Sequence, residues 1–288
     1  MLFFVQPAES AMREDIQTIV FDLDGTIYQN TVFHRDYLRF LVEGTGRADW
    51  AESLIAFADA VFSGRRLVMN AFYADSRIEA ETPEAYFCSL ERALLPSISY
   101  EEALGRTDCI YTGDAWAVVT LIGKTLGLLE NGRSDAIYRL TRDKMNADGM
   151  RGSARLRSAI CGLDGCVDAI LLTNSYESTA LDFLGQLGFL NTFPEIVFSA
   201  NKPAGMVDAL RRKRPALFER PERVLTVGDH AFNDLMPLQR LGCRTLWINP
   251  FDNIHTPGAD MTVRTLDELA GFLEGFRAAS PLPNRIFT

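Results

Sequence analysis

Five short apolar runs, each closed by a polar or charged residue, set the limits on what this chain can become. They are "TIVFD" (18–22), "AILLT" (169–173), "EIVFS" (195–199), "VLTVGD" (224–229) and "TLWIN" (245–249). Val, Ile, Leu and Phe follow one another without polar alternation, as in strands covered on both faces. Helical patterns separate the last four. "ESTALDFLGQLGF" has Leu181, Leu184 and Leu187 at helical spacing and a stop at Gly188, and "AGMVDALRRK" and "FNDLMPLQRLG" follow. "TLDELAGFLEGF" supplies a last helix. This alternation predicts right-handed crossovers and an α/β fold, a parallel sheet flanked by helices.

One interval breaks the rhythm. Roughly 140 residues lie between the first run and the second, far more than one crossover helix needs. Amphipathic patches fill it: "VFHRDYLRFLVE", "WAESLIAFADAVF", "TPEAYFCSLERALL", "DAWAVVTLIGKTLGLL" and "SDAIYRLTRDKM". Thr82 before Pro83 and Glu84 reads as a helix start. No β run and no internal repeat stand out, so the reading is an all-helical domain, residues 29–150, inserted into a core made of 14–28 and 151–288. Residues 1–13 read as a flexible tail; their apolar letters lack the basic segment of a signal peptide.

Charge and cysteine usage narrow the function classes. A net charge of -9 and a pI near 5.0 speak against a nucleic-acid or anionic-membrane partner. No apolar stretch reaches the roughly twenty residues that span a bilayer. Cys88, Cys109, Cys161, Cys166 and Cys243 form no Cys-x-x-Cys pair, and His34, His230 and His255 are scattered, so a zinc site is not expected. Scattered thiols suit a reducing, cytoplasmic setting. The sequence fixes no oligomeric state.

Ligands of open parallel sheets bind at the carboxyl ends of the strands. Here those ends offer Asp22 and Asp24, then Thr173, Asn174 and Ser175, then Lys202, then Asp229, Asn233 and Asp234. Clustered carboxylates repel unless a hard cation joins them, and oxygen-only ligands favour Mg²⁺. Mg²⁺ in turn pairs a few carboxylates with a phosphate, which points to a small phosphorylated metabolite as substrate. Lys202 and the Thr173 hydroxyl suit the remaining phosphate oxygens. One aspartate can act as nucleophile and a second can move the proton.

"DLDGT" (22–26), "LLTNS" (171–175), "NKP" (201–203) and "GDHAFND" (228–234) resemble, in order, the four motifs of the haloacid dehalogenase superfamily. The resemblance covers the strand–helix core in two pieces, implies a Rossmann-like sheet, and makes the long insert similar to that family's cap domain in its first position. It implies Asp22 as nucleophile and Asp24 as general acid/base. Thr173 and the backbone of Asn174 would bind the phosphoryl group, with Lys202 stabilising its charge. Asp22, the main-chain carbonyl of Asp24 and Asp229 would hold Mg²⁺, Asp234 would orient Lys202 or a metal-bound water, and Gly25 and Thr26 would shape the turn. Dehalogenase members lack an acid at the position of Asp24, P-type ATPases carry threonine there and phosphonate-cleaving members alanine. Asp24 therefore favours a phosphatase.

A sugar phosphomutase keeps that acid too. A phospho-acceptor signalling domain shares Asp, Thr, Lys and Mg²⁺, but its acidic pair precedes the acceptor. A scaffold without turnover is the third alternative. Sugar phosphates, phosphoglycolate and nucleoside monophosphates all stay open as substrates. His230 reads as exposed at a helix start, Arg65 and Arg66 as solvated surface charge, Asp114 as an N-cap beyond Gly113, and Trp116 as core.

Overall fold

The computed structural model describes residues 13–30, 32–251 and 257–279. The expected tail up to residue 12, and His255, lie outside the described residues. Arg13 does not belong to a tail: it is buried, its guanidinium lies 5.4 Å over the ring of Phe272, and it donates to the Phe272 carbonyl.

Eight strands are described: β1 (Thr18–Phe21), β2 (Phe72–Ala74), β3 (Cys109–Tyr111), β4 (Asp168–Leu172), β5 (Glu195–Val197), β6 (Val224–Gly228), β7 (Arg244–Ile248) and β8 (Met261–Val263). Six form one parallel sheet in the order β5-β4-β1-β6-β7-β8. β1 is central and buried along its whole length, with Phe21 opposite Leu171 on one side and Val227 on the other. That register brings the residues after β1, β4 and β6 to one edge. The chain order also reverses at β1, so a crevice opens there. All five apolar runs are strands. The sixth, β8, has three residues at the sheet margin and escaped the periodicity reading.

The helices are α1 (Phe33–Val42), α2 (Ala51–Phe62), α3 (Pro83–Arg92), α4 (Tyr100–Leu104), α5 (Ala115–Thr125), α6 (Arg133–Ala147), α7 (Ala154–Cys161), α8 (Glu177–Leu187), α9 (Met206–Lys213), α10 (Met236–Gln239) and α11 (Leu266–Ala279). α8 buries Ala180, Phe183, Leu184 and Leu187 and ends at left-handed Gly188, φ 77°. α7 and α11 pack together. None of the described helices is long and apolar enough to cross a membrane.

The segment between β1 and α7 holds α1 to α6. Thr82 caps α3 by accepting from the Ala85 amide, and Asp114 caps α5 by accepting from the Ala117 amide at 2.6 Å. The segment is not all helical. β2 and β3 pair antiparallel, with Tyr73 opposite Ile110, and three residues per strand are too few to show alternation. Arg65 bonds Ser63, and Arg66 pairs with Glu84 and Glu91, so both are occupied at the surface.

Candidate active site

The carboxyl ends of the central strands meet in a cavity of about 380 Å³. Asp22, Asp24, Thr173, Asn174, Lys202, Asp229 and Asp234 all line it, joined from the inserted segment by Asp114, Trp116, Tyr138 and Arg142. A larger cleft of about 660 Å³ opens at the opposite edge of the sheet near Asp168, with Asp164 and Asp168 as its charged residues and no basic one. Convergent chemistry, rather than size, marks the smaller cavity as the site.

Asp22 continues β1, its amide bonded to the Val227 carbonyl. Lys202 crosses to it from the loop after β5: its Nζ lies 2.5 Å from Asp22 Oδ1 and 2.7 Å from Asp234 Oδ1. All three side chains are almost wholly buried. Asp234 is itself fixed, since its second carboxylate oxygen accepts from the His230 amide and its carbonyl accepts from the Thr226 hydroxyl. Asp234 thus sits fixed beside Lys202.

The loop carrying Lys202 is tied to the loop after β4. The Asn174 side chain accepts from the Lys202 amide at 2.6 Å and donates to the Lys202 carbonyl at 3.2 Å. Thr173, buried, accepts from the Ser175 amide, and its carbonyl accepts from Ala200. Thr173, Asn174 and Lys202 are therefore tied together through these two loops. Thr26 is buried in the turn after β1, and its hydroxyl has no partner among the described residues.

Burial pushes the Asp22 carboxyl up to about 8; Lys202 opposes this, while Asp234 and Asp24 reinforce it. Burial also works against the Lys202 ammonium, but Asp22 and Asp234 outweigh it and hold the proton on nitrogen above the usual lysine range. Asp229 is held well above the usual carboxylate range, first by burial and then by Asp114, Asp22, Asp234 and Asp24. Concentrated negative charge of this kind calls for a cation. Oxygen atoms of Asp22, Asp229 and Asp234 come within 4.8 Å of one another, a hard, all-oxygen donor set that fits Mg²⁺.

Gly25 makes the close approach of Asp229 feasible. It has φ +75°, and a Cβ there would fall 1.8 Å from Asp229 Oδ2. Gly25→Ala is expected to displace Asp229, abolishing Mg²⁺-dependent stabilisation in thermal melts and lowering stability by about 1–3 kcal/mol through backbone strain alone. A Mg²⁺ response equal to that of the unaltered protein would contradict this placement.

Asp24 has other partners than Lys202. Its Oδ1 accepts from Tyr28 Oη and, at 2.5 Å, from Arg142 Nη2 on α6. Neither partner stood out in the sequence. Tyr28 lies two residues beyond "DLDGT", and Arg142 shares the buried side of α6 with Ile137, Thr141 and Met145. An arginine on the apolar face of an amphipathic helix was the available signal. His230 starts its helical turn as expected, its Nδ1 accepting from the Asn233 amide. It is buried rather than exposed, because Gly113 and Tyr111 close over its ring: a Cβ on Gly113 would meet His230 Cγ at 2.8 Å. Trp116 is half-buried, stacked at 4.0 Å on Phe33, and it also walls the cavity.

A family model described as haloacid dehalogenase-like hydrolase matches residues 16–242. No curated protein matches the chain. Among solved structures, a HAD phosphatase from Thermococcus onnurineus is 17% identical with a TM-score of 0.49, covering 91% of this chain and 100% of its own. The putative HAD-hydrolase YfnB from Bacillus subtilis, bound to magnesium, is 17% identical at a TM-score of 0.49, covering 90% of this chain and 98% of its own. A putative beta-phosphoglucomutase from Thermotoga maritima is 14% identical at 0.46, covering 91% and 97%.

Proposed function

The chain belongs to the haloacid dehalogenase-like hydrolases, and within that family we propose that it is a Mg²⁺-dependent phosphohydrolase that cleaves a small phosphomonoester through an aspartyl phosphate on Asp22. The observation that carries the reading is the second carboxylate, Asp24, in the same cavity as the Asp22–Lys202 pair. A metal-independent dehalogenase has no use for that acid.

In this reading Asp22 attacks phosphorus as the P–O ester bond breaks, and the departing oxygen takes a proton from Asp24. Asp24 then takes a proton from water, which attacks the phosphorus of the aspartyl phosphate, releasing phosphate and restoring Asp22. Thr173 and the amide of Asn174 hold the phosphoryl oxygens. Lys202 keeps Asp22 aimed and balances charge as it builds on those oxygens. Mg²⁺, held by Asp22, Asp229 and the main-chain carbonyl of Asp24, with Asp234 close by, would neutralise charge between carboxylates and phosphate. The five cysteines are all free, which supports a cytoplasmic setting.

The test is a phosphate-release screen over sugar phosphates, phosphoglycolate and nucleoside monophosphates, with Mg²⁺ and with chelator. Inorganic phosphate released only with the metal is the expected result. Isomerised sugar phosphate in its place would make the protein a mutase, and no turnover of any ester, with Mg²⁺ bound, would make it a scaffold.

A further inference from the structure

The inserted segment places a cation on the very carboxylate that the proposed reaction needs free. The Arg142 side chain is 8% exposed. Its guanidinium lies 4.9 Å from the ring centre of Trp116, 5.1 Å from Tyr138 and 4.6 Å from Phe183. Every nitrogen is engaged: Nε donates to Tyr138 Oη at 3.0 Å, Nη1 to Tyr28 Oη at 2.7 Å and Nη2 to Asp24 Oδ1 at 2.5 Å. Tyr28 Oη donates to the same Asp24 oxygen.

Both donors hold Asp24 through the same oxygen, Oδ1, so bringing that oxygen to an ester oxygen breaks both bonds. Once it turns to the leaving group, Tyr28 loses its acceptor and the guanidinium loses its carboxylate. A buried cation stripped of its partner is strongly unfavourable unless another anion replaces it. The transferring phosphoryl group is expected across the cavity at Thr173, Asn174 and Lys202, and Lys202 is already bonded to Asp22 and Asp234. Arg142 is the other Lys or Arg lining the cavity. Asp114 and Asp135 on the same wall repel anions elsewhere, so the guanidinium fork is the place that receives one.

We propose that Arg142 is a specificity-determining residue selecting phosphomonoesters whose leaving group carries a second anionic group, a carboxylate or a phosphate. That group replaces Asp24 on the guanidinium, and the released Asp24 carboxylate takes up a proton from solvent and passes it to the ester oxygen as the P–O bond breaks. The inference rests on the phosphohydrolase reading. It assigns the fork to substrate chemistry, because a planar guanidinium binds carboxylate or phosphate through two parallel bonds.

The experiment compares kcat/KM, with Mg²⁺ present, for three esters: 2-phosphoglycolate, ethylene glycol bisphosphate and the neutral 2-hydroxyethyl phosphate. The unaltered enzyme is expected to prefer at least one anionic ester over the neutral one by roughly 10–100-fold, the worth of one charge-assisted contact. The better of the two identifies the anion as carboxylate or phosphate. Arg142→Met is expected to bring that ratio close to one, and Arg142→Lys to keep part of it. Because Arg142 is packed among three rings, the Lys variant and the preference of the unaltered enzyme decide the matter if the Met variant fails to fold. Turnover with no preference for either anionic ester, or a preference that survives in the variants, overturns this inference alone. No phosphate from any ester, p-nitrophenyl phosphate included, overturns the phosphohydrolase reading and this inference with it.

Discussion

Asp22→Asn is expected to lower Mg²⁺-dependent phosphate release by at least ~10³-fold, the scale seen when a covalent nucleophile is removed. The change is nearly isosteric, and the asparagine oxygen still accepts from Lys202 Nζ, which lies 2.5 Å from Asp22 Oδ1. The fold is therefore expected to survive, and the loss to appear in kcat. Steady-state assays of purified variant and unaltered protein measure the effect. Mass spectrometry of acid-quenched protein then supplies an independent check, because the phosphoryl group should sit on the peptide containing Asp22 and be absent from the variant. A variant with unaltered activity would end the aspartyl-phosphate mechanism.

Lys202→Met should damage both catalysis and stability. Its ammonium is the shared partner of Asp22 and Asp234, and the three side chains are 4%, 8% and 3% exposed. Removing one member of a buried ionic group leaves the others uncompensated, at a cost of about 3–5 kcal/mol. The metal-free variant should therefore unfold at a clearly lower temperature than the unaltered protein. Added Mg²⁺ should recover part of the loss, since the cation stands in for the missing charge. Activity should stay low even with Mg²⁺, because in the proposed reaction the lysine also balances charge on the phosphoryl oxygens. Equal melting temperatures for the two metal-free proteins would contradict this account of the triad.

Much of this was legible in the letters because the central strands are covered on both faces. β1, β4 and β6 have to be continuous apolar runs, and their carboxyl ends have to carry whatever the site uses. Asp22, Thr173 and Asp229 could be placed that way before any geometry was known. β2, β3 and β8 could not, since three residues carry no period and their pairing depends on partners far along the chain. The burial of His230 was hidden for a similar reason: Gly113 and Tyr111, which cover it, come from the inserted segment. Arg142 was the largest omission. Its partner Asp24 lies 118 positions earlier in the chain, and no local pattern joins the two.

The central position of β1 has a consequence for how the chain is made. β1 is buried along its whole length and precedes its partners in the chain, which begin at Asp168 and Val224. At about 5–20 residues per second, a ribosome takes roughly seven to thirty seconds to supply the first of them. Through that interval both edges of a sticky strand lie open, a standing invitation to mispairing. The helical insert emerges meanwhile, and its folding would shorten the loop that β4 must close. Asp22 is thus made well before Lys202 and Asp229, and the site it belongs to is complete only when those two have arrived.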